Sequence, residues 1–356
     1  MRRGALVSVV AAGVLVLAGC TDGGERRGTP GEGDGAPATS RPQTSGGAPS
    51  ARATPSLSPA SPRSVPQTYR AFVTLEDAAA VAVLAGPPWR VVELLQVPAR
   101  PHNIAASADG RHVAVAGLAG TVTIVRTADA QVMGQAQVAG YPHDVAFTAD
   151  GTRLWVTAER GGRLVGLSVP DGGQVAALDV GAAPHDLAIS PDGRQLWVTL
   201  DASPRVQVRS ALDGALQAEP DLGGAPHDVA FAPDGGEVWL SNVSSPQLTV
   251  AATSSQRVVA RADVGTEPHH VAVGPNELWA SDNERGVLLR IDRRTQRLLA
   301  DAPVGPAPHH PGLAGEQVLV AVHGTGRVAV TDASGGRVES VDVGPGPHDI
   351  AVVPAG

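Results

Sequence analysis

Seven of the eleven histidines in this 356-residue chain follow a proline, and they recur at a near-constant interval. They are His102, His143, His185, His227, His269, His309 and His348, separated by 41, 42, 42, 42, 40 and 39 residues. Imidazole is a common ligand for zinc, copper, iron and nickel, and neighbouring carboxylates serve as further ligands or orient the rings. The residue after each histidine continues the theme, as Asn103, Asp144, Asp186, Asp228, His270, His310 and Asp349. A third polar set, Glu76, Glu159, Asp201, Asn283 and His323, follows a recurrent apolar run, with Leu118 and Val243 interrupting it. The densest asymmetric group is His269, His270, His309, His310 and His323, on two adjacent repeats. It is the candidate metal site, and a divalent metal ion is the cofactor that it would take. Its spacings match no compact motif such as H-E-x-x-H.

The elements that must carry these side chains are short strands. Pro184 to Gly193 reads as an alternating apolar run ending in a Pro-Asp-Gly turn, the sign of two antiparallel strands tightly joined. Leu196-Trp197-Val198-Thr199 is a second strand, Arg205 to Arg209 a third and Ala215 to Ala218 a fourth. Four short strands per ~40–45 residues make one blade of a propeller. Before the first Pro-His pair, residues 70–97 supply strands two to four of a blade that lacks its first. After the last pair, Asp349 to Val353 supplies only a first strand. The expected fold is therefore all-β: a seven-bladed β-propeller of four-stranded antiparallel blades, closed by pairing the C-terminal strand with the N-terminal strands. Closure removes the open sheet edges that invite aggregation. Strand one starts on the face where strand two ends, so the three polar sets are expected on one rim around the channel mouth. The recurrent Trp155, Trp197, Trp239 and Trp279 are expected to pack between blades, and His112, at the start of a second strand, lies away from the rim.

Val180 to Thr199 and Leu222 to Ser241 carry the pattern Val-Gly-x-x-Pro-His-Asp-Val-Ala-Phe-x-Pro-Asp-Gly-x-x-x-Trp-Val-Thr most fully. This resembles the YVTN-type (YncE-like) β-propeller repeat of extracytoplasmic bacterial and archaeal proteins, over residues 70–356. The resemblance implies the fold; the family spans surface-layer proteins, binding proteins and a few enzymes, so it does not define a function. The Pro-His loop and Leu-Trp strand are also similar to those of the virginiamycin B lyase family, seven-bladed propellers that open a lactone with a histidine general base and a magnesium ion. In that family the second strand tends to end Trp-Phe-Thr-Glu. Here Trp155-Val156-Thr157-Ala158 and Trp197-Val198-Thr199-Leu200 lack the adjacent Glu. Glu159 and Asp201 come one residue later, where strand alternation would turn them the other way.

Three roles for the histidines follow. The first is structural: each imidazole would bond a hydroxyl on a second strand (Thr74, Thr157, Thr199, Ser241 or Ser281) and lock the blade. Strand parity supports this, because His143, Val145 and Phe147 share one face, which aims the ring at a blade interface. The second is metal ligation, and the third is lyase-type catalysis.

The N-terminus reads as a lipoprotein signal over residues 1–20. Met1-Arg2-Arg3 is basic, Gly4 to Leu17 is apolar, and Leu17-Ala18-Gly19-Cys20 resembles a lipobox, with Cys20 the lipidated residue. The apolar run falls short of the ~18–20 residues of a spanning helix. Residues 21–66 are rich in Gly, Pro, Ser and Thr, a linker expected to be disordered and to span on the order of 40 Å. The propeller domain is expected over 67–356. There is no lysine, and the lone cysteine rules out an intramolecular disulfide. Residues 1–66 hold seven arginines and four acids, leaving 20 arginines against 31 acids in the rest. So acidic a domain excludes nucleic-acid backbone binding. No nucleophile elbow, P-loop or dinucleotide fingerprint is present. The sequence thus points to a monomeric, extracytoplasmic lipoprotein, held at the membrane through its lipid. It would act as a binding or scaffold protein whose His/Asp-rich rim meets a small ligand, metal ion or protein partner. The alternative is a metal-dependent lyase or hydrolase.

Overall fold

The computed structural model describes residues 68–355 apart from 182, 202, 243, 244, 266 and 337. The signal segment, Cys20, the linker to residue 66 and Val243 lie outside the described residues.

Seven four-stranded antiparallel sheets form a closed ring. Blade 1 is composite: Pro347–Pro354 pairs with Tyr69–Leu75, followed by Ala80–Gly86 and Arg90–Gln96. Its seam holds Tyr69 against Pro354, and the Ala355 amide donates to the Thr68 carbonyl at 2.9 Å. Both chain ends of the ring therefore lie on the face opposite the Pro-His loops. Blades 2 to 7 are continuous in sequence, and their first strands begin at Pro101, Pro142, Pro184, Pro226, Pro268 and Pro308.

Local chemistry explains the repetition. In blade 4 the turn after the first strand is fastened by Ser190 Oγ donating to Asp192 Oδ1 (2.6 Å), which also accepts the Arg194 amide (3.1 Å). Gly193 completes that turn at φ 70°, a conformation in which a Cβ is strained. The second strands are buried almost throughout, and alternate side chains enter the spaces on either side of the sheet. Trp155 of blade 3 sits among Leu187, Leu196 and Val198 of blade 4, and Trp197 packs on Val229 and Val238 of blade 5. Trp239 and Trp279 repeat this against blades 6 and 7. The tryptophans are interblade core, as expected from their period. His112 opens the second strand of blade 2, at the end away from the Pro-His loops.

Candidate functional site

Every first strand carries a β-bulge at the histidine. In blade 2, Pro101 faces Gly117 and Ile104 faces Val115, so His102 and Asn103 together oppose the single Ala116. The same two-against-one arrangement recurs in the other six blades. A bulge interrupts side-chain alternation and re-aims the residues within it. The imidazoles therefore turn to the channel rather than to a blade interface, which overturns the parity expectation.

The expected hydroxyl lock is present but uses backbone, not imidazole. The Thr157 hydroxyl accepts the Asp144 amide (2.9 Å) and donates to the His185 carbonyl of the next blade (2.7 Å). Thr74, Thr199 and Ser241 repeat both bonds, to the carbonyls of His102, His227 and His269. Ser281 accepts the His270 amide. The hydroxyl thus satisfies the amide that the bulge leaves without a ladder partner, and the imidazole rings take no part in this lock.

The seven Pro-His imidazoles close into a ring of their own. Successive centroids lie 4.7, 4.0, 4.2, 4.4, 5.7, 4.4 and 3.7 Å apart, from His102–His143 round to His348–His102. The widest gap, between His269 and His309, is where the further imidazoles collect. His270 and His310 stack at 3.5 Å, and His323 lies 5.4 Å from His309. Ten of the eleven histidines converge on one channel mouth, including all five of the candidate metal cluster. Nε2 of His102 and of His143 lie 3.2 Å apart, within hydrogen-bond distance, whereas Nδ1 of His269, His309 and His348 and both nitrogens of His270 are buried without a hydrogen-bond partner.

Behind the ring, carboxylates stitch neighbouring blades. Asp144 accepts the amides of Val145 (2.8 Å) and Leu187 (2.9 Å). Asp228 takes those of Val229 and Val271, and Asp349 those of Ile350 and Ile104. Burial pushes all three above the usual carboxylate range, Asp349 to about 7, although the amides favour the ionised form. Asp186 departs from this scheme. Its Oδ1 lies 3.3 Å from Nδ1 of both His143 and His185, and accepts from Asn103 Nδ2 across two blades at 3.4 Å. Burial opposes its charge, but the His185 and His143 rings outweigh it and hold the carboxyl well below the usual range. In return Asp186 overcomes the burial of His185 and raises that imidazole to about 9.

The other side of the ring is uncharged. Burial lowers His227 and His309 to about 3, with neighbouring imidazoles contributing. Burial likewise sets His270, His310 and His348 well below the ordinary histidine value. Neutral imidazoles present the lone pair that a metal needs. Glu76, whose carboxyl the His102 ring draws down to about 2 against the effect of burial, sits 3.5 Å from His102 Nδ1 and is paired through Oε1 with Arg100 at 2.9 Å.

A cavity of about 420 Å³ opens over His185, His227 and His269, with Glu159, Asp201 and Asn283 in its wall. Strand alternation would have turned Glu159 and Asp201 away, and that expectation fails. The second strand of blade 3 ends at Ala158, and a 3-10 turn begins at Glu159. Glu76 and His323 start equivalent turns, so parity no longer governs where these side chains point. Sequence reasoning missed Asn242, Glu267 and Glu284, which complete the wall. Glu267 directly precedes the Pro268-His269 pair, and this adjacency was the available signal. Among the described residues the wall holds four carboxylates and no arginine, so its field favours cations.

Fold and site together define a seven-bladed β-propeller with a histidine-lined channel mouth. No protein-family model matches the sequence, and no curated protein matches it. Solved structures do match. A putative 6-phosphogluconolactonase from Bacteroides fragilis aligns at TM-score 0.71 and 14% identity, over 82% of this chain and 100% of that one. The periplasmic gluconolactonase PpgL of Pseudomonas aeruginosa aligns at TM-score 0.68 and 21% identity, over 81% and 100%. The dihydro-heme d1 dehydrogenase NirN aligns at TM-score 0.62 and 17% identity, over 81% and 75%. At these identities the likeness is one of fold.

Proposed function

We propose that this protein is an extracytoplasmic binding protein of the YVTN-type propeller kind, anchored through Cys20, whose channel mouth captures a divalent transition-metal ion. One observation carries the proposal: a closed ring of imidazoles in which buried ring nitrogens have no hydrogen-bond partner within the protein. Buried polar atoms are normally paired, and a set left without partners at a solvent-reachable mouth asks for a ligand. Imidazole donors favour zinc, nickel, cobalt or copper over magnesium or calcium. The acidic cavity wall would concentrate the cation at the entrance. Equilibrium dialysis of chelator-stripped protein against zinc, followed by metal analysis, is expected to leave bound ion that survives a large excess of magnesium. Protein that emerges from dialysis with no ion above the buffer level would sink the proposal.

A second reading, a metal-dependent hydrolase or lyase, draws support from the cavity. It sets Glu159 and Asp201 beside the imidazoles in a space large enough for a small substrate. Zinc-loaded protein that opens a sugar lactone faster than zinc alone would favour this reading; equal rates would exclude it for that substrate class.

A further inference from the structure

Three groups of donors at the mouth have the same composition and share no residue. Glu76, His102 and His348 join blades 1 and 2, His143, His185 and Asp186 join blades 3 and 4, and Asp228, His270 and His310 join blades 5 to 7. Each group is two imidazoles and one carboxylate, with one donor atom per residue and all three within 4.8 Å of one another. That set suits borderline divalent ions and leaves coordination positions open for water or a further ligand. His270 also lies within the same reach of His227 and His269, and of His309 and His348. Even so, no more than three of these groups can be filled without sharing a residue.

The first and third groups hold buried nitrogens with no hydrogen-bond partner, Nδ1 of His348, Nε2 of His310 and both nitrogens of His270. In the second, Nδ1 of His143 and His185 face Asp186 Oδ1 at 3.3 Å, and an ion there would displace the proton held between them. In the first group Arg100 engages Glu76 Oε1 at 2.9 Å, while Oε2 faces His102. In the third, each Asp228 oxygen accepts one amide, and a carboxylate oxygen retains a second lone pair. Glu76, Asp186 and the four acids of the cavity wall supply negative charge for more than one divalent ion, and Asp228 would give up its proton on binding one.

We propose that the channel mouth is a three-ion site, one divalent borderline transition-metal ion per two-histidine, one-carboxylate group. This rests on the metal-binding reading above and adds the number and placement of the ions. The remaining mouth histidines, His227, His269, His309 and His323, lie between the groups and offer routes for an ion to pass from one to the next.

The test is stoichiometry on the full chain. Chelator-stripped protein is loaded with zinc, dialysed, and weighed by native mass spectrometry alongside metal analysis. Three ions per chain are expected. His143→Gln and, separately, His310→Asn are each expected to leave two, with the melting transition kept as evidence of folding. A single ion in the parent protein overturns the three-group arrangement while leaving metal binding intact. No ion overturns both. Loss of every ion in either folded variant would mean one shared site and would also overturn the proposal.

Discussion

Blades 3 and 4 and blades 6 and 7 share the backbone bulge at the first strand and differ in the residue that follows its histidine. All four carry the bulge and first-strand Pro-His pair. On one side the next residue is Asp144 or Asp186, and the mouth there holds an imidazolium–carboxylate pair. On the other side it is His270 or His310, and the mouth holds stacked, uncharged imidazoles. Blades 6 and 7 thereby give up the carboxylate bridge that Asp144, Asp228 and Asp349 make to the next blade. The lesson is that the architecture is held by backbone and hydroxyl groups, so the residue after each histidine is free to set local charge.

The largest effect should come from the charged side. Asp186→Asn would leave His143 and His185 without their carboxylate, at a cost on the order of 3 kcal/mol at neutral pH. The pH dependence carries the same signature. His185 is raised to about 9 when folded, so its contribution is complete below its unfolded value near 6.5 and is lost as the pH rises through about 9. Denaturant midpoints for the parent should fall across that window, and those of Asp186→Asn should fall less. Parallel curves would refute the pairing.

A smaller effect tests the shared frame. Thr157→Val removes a hydroxyl that accepts from Asp144 and donates to His185, both through backbone. It should cost about 1–3 kcal/mol. An unchanged unfolding midpoint would show that the hydroxyl does not fasten the blades.

The smallest effect converts one side into the other. His270→Asp restores the residue type that bridges blades elsewhere, and each regained amide bond contributes about 1 kcal/mol. Stability should hold or rise slightly, while zinc capacity falls. A variant that binds as much zinc as the parent would remove His270 from the ligand set.

How far the sequence could be read follows from these particulars. The blade count and the composite seam were legible because Pro-His recurs every ~40 residues and the terminal fragments complement each other. The channel-facing histidines were on the right rim but with the wrong aim. Parity assumes unbroken alternation, and one extra residue at His143 inverts it. Glu159 failed for a related reason, since the strand ends one residue before it. Glu267, Glu284 and Asn242 belong to loops and strand ends without a shared period, and only the folded ring brings them to one wall.

The seam of blade 1 has a consequence for access. Tyr69 and Pro354 are paired at the far end of their strands, and Thr68 bonds to Ala355 beside them. Whatever precedes Thr68 joins at the back of the ring. The chain thus enters and leaves the ring a full strand length from the imidazoles, so a substitution at Tyr69 or Pro354 would alter the seam without touching the histidine mouth.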